Sequence, residues 1–399
     1  MLDLEETMKP VLWSNTLACC IAVIFLFQYE VSCQNLGTIN LPASIADQNA
    51  RIENALPSKP QKIGYCEGPV VDKKGNLFFS EQNAGIIWKV TAGGTVSKWM
   101  TFSTSYANGL DLSPDGNLVV CEKTSITERD TNGNLIKVLT SGNTWGQGAN
   151  DLSFSSNGDM FFTAFNQHFW FHSKDNLINL DYNYASPSNI YFNGIEYLEE
   201  KGVIYICQWG QNKVIKCNVN AHGVVDTANK KTFVNVNGPD GLTVDADYNV
   251  YIASNSASTG AVYVYDSTGK ELGSIVMRQD NNQSSNASNC VFGGPDNKTL
   301  YITGDSGAYK VQLKIPGRVR PSNVHISRNN SNHFTCKQKA SALEIYINDG
   351  NRYSKSSSVG KIYNTAYDIK GRTVNLSGYK HRGAVSILYM IHNNHLTDK

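Results

Sequence analysis

Six polar residues recur at the head of one repeated phrase, and their types set the chemistry this chain can host. They are Glu67, Asn108, Asn150, Asn193, Asp240 and Asn289, spaced 41 to 49 residues apart. Two carboxylates and four amides offer oxygen donors only, with no imidazole or thiolate among them, and such a set suits a hard cation. Calcium, which accepts about six to eight oxygens in irregular geometry, fits best; Mg2+, Mn2+ or Zn2+ are the other divalent candidates. Asn and Asp are also turn formers at the start of strands, which accounts for the amides. It does not account for Glu67, because Glu is no turn former and stands at the same place.

A sheet must position these residues. The phrases read EGPVVDKKGNLFFSE from Glu67, NGLDLSPDGNLVVCE from Asn108 and NDLSFSSNGDMFFTA from Asn150. They continue as NGIEYLEEKGVIYIC from Asn193, DGLTVDADYNVYIAS from Asp240 and NCVFGGPDNKTLYIT from Asn289. Each is a polar leader, an alternating strand, a turn rich in Gly, Asp or Asn, and a second β-branched or aromatic strand. Further strand pairs, such as 86–90, 214–217 and 262–265, fill the intervals. Four short strands per repeat is the mark of a propeller blade, so six copies predict an all-β, six-bladed β-propeller. Nothing before residue 320 has a helical period. In such a ring the innermost strands line a central channel, and the six leaders converge on one end of it. The expected boundaries are a lead-in over 34–60 that lends a closing strand, the propeller over 61–320, and a β-rich or flexible extension of unknown role over 321–399.

Composition narrows the partners. A formal charge of +1 leaves no basic excess to displace counterions, which argues against nucleic acid. The apolar run Leu17–Phe27 spans roughly 16 Å as a helix, too short for a bilayer core of about 30 Å. Residues 1–33 therefore read as a secretory signal cleaved near Cys33, with a signal anchor as the lesser reading and no other membrane partner expected. Asp3, Glu5 and Glu6 suit an n-region poorly, and a start at Met8 would remove them. That places the protein outside the cell or in a periplasm. No CxxC pair occurs among the nine cysteines, so a thiolate zinc site is a poor fit. Cys207 and Cys217 flank a short turn and read either as a disulfide or as buried thiols.

The same phrases resemble the SMP-30/gluconolactonase/luciferin-regenerating-enzyme family, in register and in order, over about residues 65 to 313. The resemblance implies one divalent cation in the channel and, for most members, hydrolysis of a sugar lactone; some related proteins are phosphotriesterases. Carried over position by position, it implies Glu67, Asn150, Asn193 and Asp240 as metal ligands. The same resemblance implies Asn150 as a substrate contact as well, Asn108 as a channel-lining residue expected to meet substrate, and Asp240 as the expected general base. The chain departs from the family at Gly148, where many members carry an Arg that grips sugar hydroxyls. The run His168-Phe169-Trp170-Phe171-His172, with Trp145 and Trp209, reads either as an apolar pocket lining or as blade filling. The expected activity is a lactonase acting on a small molecule. The alternatives are a ligand-binding propeller without turnover and a phosphotriesterase-like hydrolase using the same cation.

Overall fold

The computed structural model describes residues 35–57, 63–141, 148–164, 169–173, 176–179, 189–220, 223–256, 260–278 and 285–321, with five strands between 334 and 375. The expected signal segment lies outside the described residues.

Six antiparallel sheets follow one another along the chain, each with its first strand innermost. The inner strands are Cys66–Val71, Ala107–Leu112, Ala149–Phe154, Phe192–Leu198, Pro239–Val244 and Ala287–Gly293, one for each of blades 1 to 6. Blade 5 gains a fifth strand, Gly37–Asn40, on its outer edge. Blade 6 has three strands of its own and takes its fourth from the lead-in: Ile52–Asn54 pairs with Gly307–Gln312. The first and last parts of the propeller thus share one sheet, which joins the ring.

Second strands such as Met160–Ala164 and Val203–Gln208 are apolar but for Thr163 and Gln208, because a blade is covered on both faces. Phe161 packs toward blade 4 and Phe162 toward blade 2. Likewise Ile204 and Ile206 face blade 3, while Tyr205 and Cys207 face blade 5. An apolar cluster thereby fills each gap between neighbouring blades.

The hairpin turns are closed by short polar side chains. Asp72 Oδ1 accepts from the N–H groups of Lys74 and Asn76, and the Asn76 amide returns a bond to Asp72 Oδ2. Asp245 and Asn249 repeat the arrangement in blade 5. These are Asx turns, and they fix where each hairpin reverses.

Cys207 and Cys217 are not bonded. Cys207 pairs with Val214 and Cys217 with Ile204, so three residues separate them along the ladder and they point to opposite faces of the sheet. Beyond the propeller, Phe334–Lys339, Ala342–Asn348 and Tyr353–Lys355 form one antiparallel sheet, and Thr365–Tyr367 pairs with Thr373–Asn375.

Candidate metal centre

Every inner strand slips register by one residue near its start, between Glu67 and Val70 in blade 1 and between Pro239 and Leu242 in blade 5, for example. Such a bulge re-aims side chains at the rim of a closed sheet. It also draws neighbouring inner strands close together. A Cβ on Gly68 would lie 2.5 Å from Asn108 O, and one on Gly194 would lie 2.3 Å from Asp240 O. The small residue after each of these leaders therefore reflects a close approach between blades. Glu67, Asn108, Asn150, Asn193 and Asp240 each stand second in an inner strand, and all are buried.

Asn289 does not join them. It occupies the place of Asp151, one residue further in: each side-chain Oδ1 accepts from the next residue's N–H. The Asn289 amide also reaches Asp151 Oδ2 at 3.1 Å across the channel. In blade 6 the bulge comes earlier, between Ala287 and Asn289, which leaves Ser288 in the leader's place.

Glu67 and Asp240 are brought together by Tyr65, whose hydroxyl lies 3.2 Å from Glu67 Oε1 and 3.1 Å from Asp240 Oδ2. Asn255 donates to Tyr65 Oη at 2.7 Å and to Asp240 Oδ2 at 3.1 Å. Burial, reinforced by the charges of Asp240 and Asp151, pushes the Glu67 carboxyl well above its ordinary range. Burial raises Asp240 as well, against hydrogen bonds from Asn255 and Tyr65. Asp151 is held up to about 7, again chiefly by burial. Three acids thus share a space that penalises their charge.

Two oxygens here are buried and have no hydrogen-bond partner, Asp240 Oδ1 and Asn108 Oδ1. An orphaned carboxylate oxygen beside a second buried carboxylate fits a hard divalent cation, which would satisfy the oxygen and relieve the repulsion. Among the described residues no three His, Cys, Asp or Glu side chains gather as a metal site on their own. A cation here would need the amide oxygens as well as the two carboxylates.

Tyr65, Asn255 and Asp151 escape a reading of the repeats. A signal for the tyrosine does exist: Tyr65, Tyr106 and Tyr191 each stand two residues ahead of a leader. Tyr106 accepts from Asn108 Nδ2 at 3.1 Å and donates to Ala149 O at 3.2 Å. It also crowds Gly148, where a Cβ would lie 2.9 Å from its ring. The place of the family's sugar-gripping Arg is thus a glycine pressed against an aromatic ring.

The aromatic run is blade filling where it is described. Phe169 packs edge-on against Phe192 with centroids 5.3 Å apart, and Phe171 joins Phe161 in the same cluster. Trp170 stacks on Phe162. Trp145 and His168 lie outside the described residues. His172 is half-buried on the third strand of blade 3, paired with Met160.

At the other end of the inner strands the chain crosses the channel. Ala246 N–H donates to Pro316 O, and Arg318 N–H donates to Val244 O. Arg318 then bonds Glu196 at 2.6 Å, and Arg320 bridges Glu196 at 2.7 Å and Asp111 at 3.3 Å. One end of the channel is closed by ion pairs, and the other carries the polar leaders.

The SMP-30/Gluconolactonase/LRE-like region matches residues 65–306. A lactonase of Staphylococcus haemolyticus, Lactonase drp35, is 26% identical over 228 residues, covering 53% of this chain and 69% of the relative. A gluconolactonase of Xanthomonas campestris superposes with a TM-score of 0.58 at 20% identity, over 70% of this chain and 97% of that one. A calcium-binding protein of Agrobacterium tumefaciens, regucalcin, gives 0.56 at 16% identity, over 66% and 95%. These structural likenesses bear on the fold, and the sequence match spans well over half of the 399 residues. The chain belongs to the SMP-30/gluconolactonase/LRE-like family.

Proposed function

We propose that the protein is a calcium-dependent lactone hydrolase whose centre is held by Glu67, Asn150, Asn193 and Asp240. The observation that carries this reading is the orphaned Asp240 Oδ1 beside a second buried carboxylate. The similar proteins named lactonase and gluconolactonase support the reaction, and the similar calcium-binding regucalcin supports the cation. A sugar lactone is the substrate class we favour, and a secreted or periplasmic location follows from residues 1–33.

The reaction adds water across the ring ester: the water oxygen bonds the carbonyl carbon, the ring C–O bond breaks, and a proton passes to the released hydroxyl. A divalent cation held by Glu67, Asn150, Asn193 and Asp240 would supply Lewis-acid polarisation of the carbonyl. Asp240 Oδ1 accepts the proton of the attacking water, while Oδ2 stays engaged by Tyr65 and Asn255. Asn108 and Asn150 orient the substrate at the mouth. The closed far end leaves the leader end as the substrate's route in.

A pH-stat screen tests this on glucono-δ-lactone, several γ-lactones and an aryl phosphotriester, each with calcium and with chelator. Acid release from a lactone, abolished by chelator and restored by calcium, is expected. Hydrolysis of the phosphotriester alone would reassign the substrate. A second reading, a ligand-binding propeller without turnover, is favoured by Gly148 and its Tyr106 neighbour. Silence on every substrate from protein that still binds calcium would establish it.

A further inference from the structure

Among the described residues Tyr65 Oη is within hydrogen-bond reach of both carboxylates of the centre, Glu67 Oε1 and Asp240 Oδ2. Asn255, just past the second strand of blade 5, secures the hydroxyl and the same Asp240 oxygen together. With Oδ2 engaged twice, the plane of the Asp240 carboxylate is set, and Oδ1 is left buried without a partner. Glu67 is divided in the same manner: Oε1 meets the tyrosine, and Oε2 takes the Gly68 N–H at 3.3 Å. A hydroxyl has one proton to offer two acceptors, so this clamp orients the pair without balancing its charge. The pair is shielded from solvent, since Glu67 and Asp240 are 4% and 1% exposed.

We propose that Tyr65, held by Asn255, is a positioning residue that occupies the rear oxygens of Glu67 and Asp240 and so presents Asp240 Oδ1 to a divalent cation. The proposal rests on the reading above that these carboxylates hold a cation. Donors that orient metal-bound side chains are commonly worth about 10–100-fold in metal affinity. Blade 2 shows the same device. Tyr106, also two residues ahead of its leader, engages the nitrogen of the Asn108 amide and leaves Asn108 Oδ1 as the second orphaned oxygen. In each case the tyrosine hydroxyl engages one atom of a leader's terminal group, Asp240 Oδ2 or Asn108 Nδ2, and the other atom of that group, an oxygen, is left buried without a partner.

The test is calorimetric titration of CaCl2, MgCl2 and MnCl2 into the chelator-stripped full chain, as wild type, Tyr65→Phe and Asn255→Ala. The phenylalanine keeps the ring and removes only the hydroxyl. The expected result is a calcium affinity about 10–100-fold weaker in both variants, with melting temperatures of the cation-free proteins close to wild type. A folded Tyr65→Phe protein with wild-type affinity overturns the positioning role and leaves the metal centre standing. A lower melting temperature with unchanged affinity does the same, since it shows a purely structural tyrosine. If Tyr65→Phe does not fold, Asn255→Ala decides, because it frees the same hydroxyl from another blade. A wild-type protein that binds none of the three cations overturns both the inference and the reading beneath it.

Discussion

Asp240 has two oxygens in different employment, one bonded on the tyrosine side and one without a partner. Replacing it by asparagine keeps the shape and divides the roles. The amide oxygen takes over the bonds from Tyr65 and Asn255, so the NH2 group falls where a cation and a water proton would be received. Asp240→Asn is therefore expected to fold while losing about 10²–10⁴ in kcat/KM on the lactone that the wild type hydrolyses. A variant that kept its cation and full turnover would remove the general-base role from Asp240. Five of the six leaders were legible as one ring of positions because they recur at one place in successive repeats. The clamp of Tyr65 and Asn255 was not, since the contacts of Tyr65 with Asp240 and with Asn255 bridge the first and fifth blades, 175 and 190 residues apart in sequence. Periodicity reports which residues share a position, and not which ones meet across the channel.

At the scale of the strand, the hairpins were readable because their turns are local. Asp72 with Asn76 and Asp245 with Asn249 close a reversal using only residues within reach of one another. The slip of each inner strand was not readable, because a bulge depends on the partner strand and on the adjacent blade. That is why Asn289, in step with the leaders by sequence, is one residue deeper and bonded to Asp151. Two substitutions probe this level. Gly241→Ala would place a Cβ 2.0 Å from Asn289 Cγ, so the amide must leave its contact. A loss of about 1–3 kcal/mol in chemical denaturation is expected, and an unchanged midpoint would deny the close approach. Ile52 belongs to the strand that joins the ring and is fully buried between blades 5 and 6. Ile52→Ala should cost about 2–5 kcal/mol, far more than the same change at an exposed outer-strand residue such as Ile136.

For the whole molecule, the channel behaves as a column of charge with its ends treated differently. At the leader end the acids lie close to one another, whereas at the far end Asp111 and Glu196 meet Arg318 and Arg320. The arginines arrive from residues 314–320, after the last blade, and tie that segment to blades 2, 4 and 5. Even so, burial outweighs Arg320 at Asp111 and holds its carboxyl up to about 6. The ordinary aspartate value is about 3.9, so between about pH 4 and 6 the folded protein keeps a proton that the unfolded chain has released. Stability from this group is fully present below that window and is lost as pH rises through it, by at most about 3 kcal/mol. Asp151 and the two carboxylates of the leader end add changes of the same sign, so the wild-type slope alone does not isolate Asp111. Asp111→Asn does, because the amide cannot titrate and Arg320 keeps its second partner, Glu196. Urea denaturation of both proteins from pH 4 to 7 should show the wild type losing stability relative to the variant as pH rises. A difference that is constant across the range would mean that Arg320, and not burial, sets the charge of Asp111. The far end would then be a balanced ion-pair plug rather than a strained one.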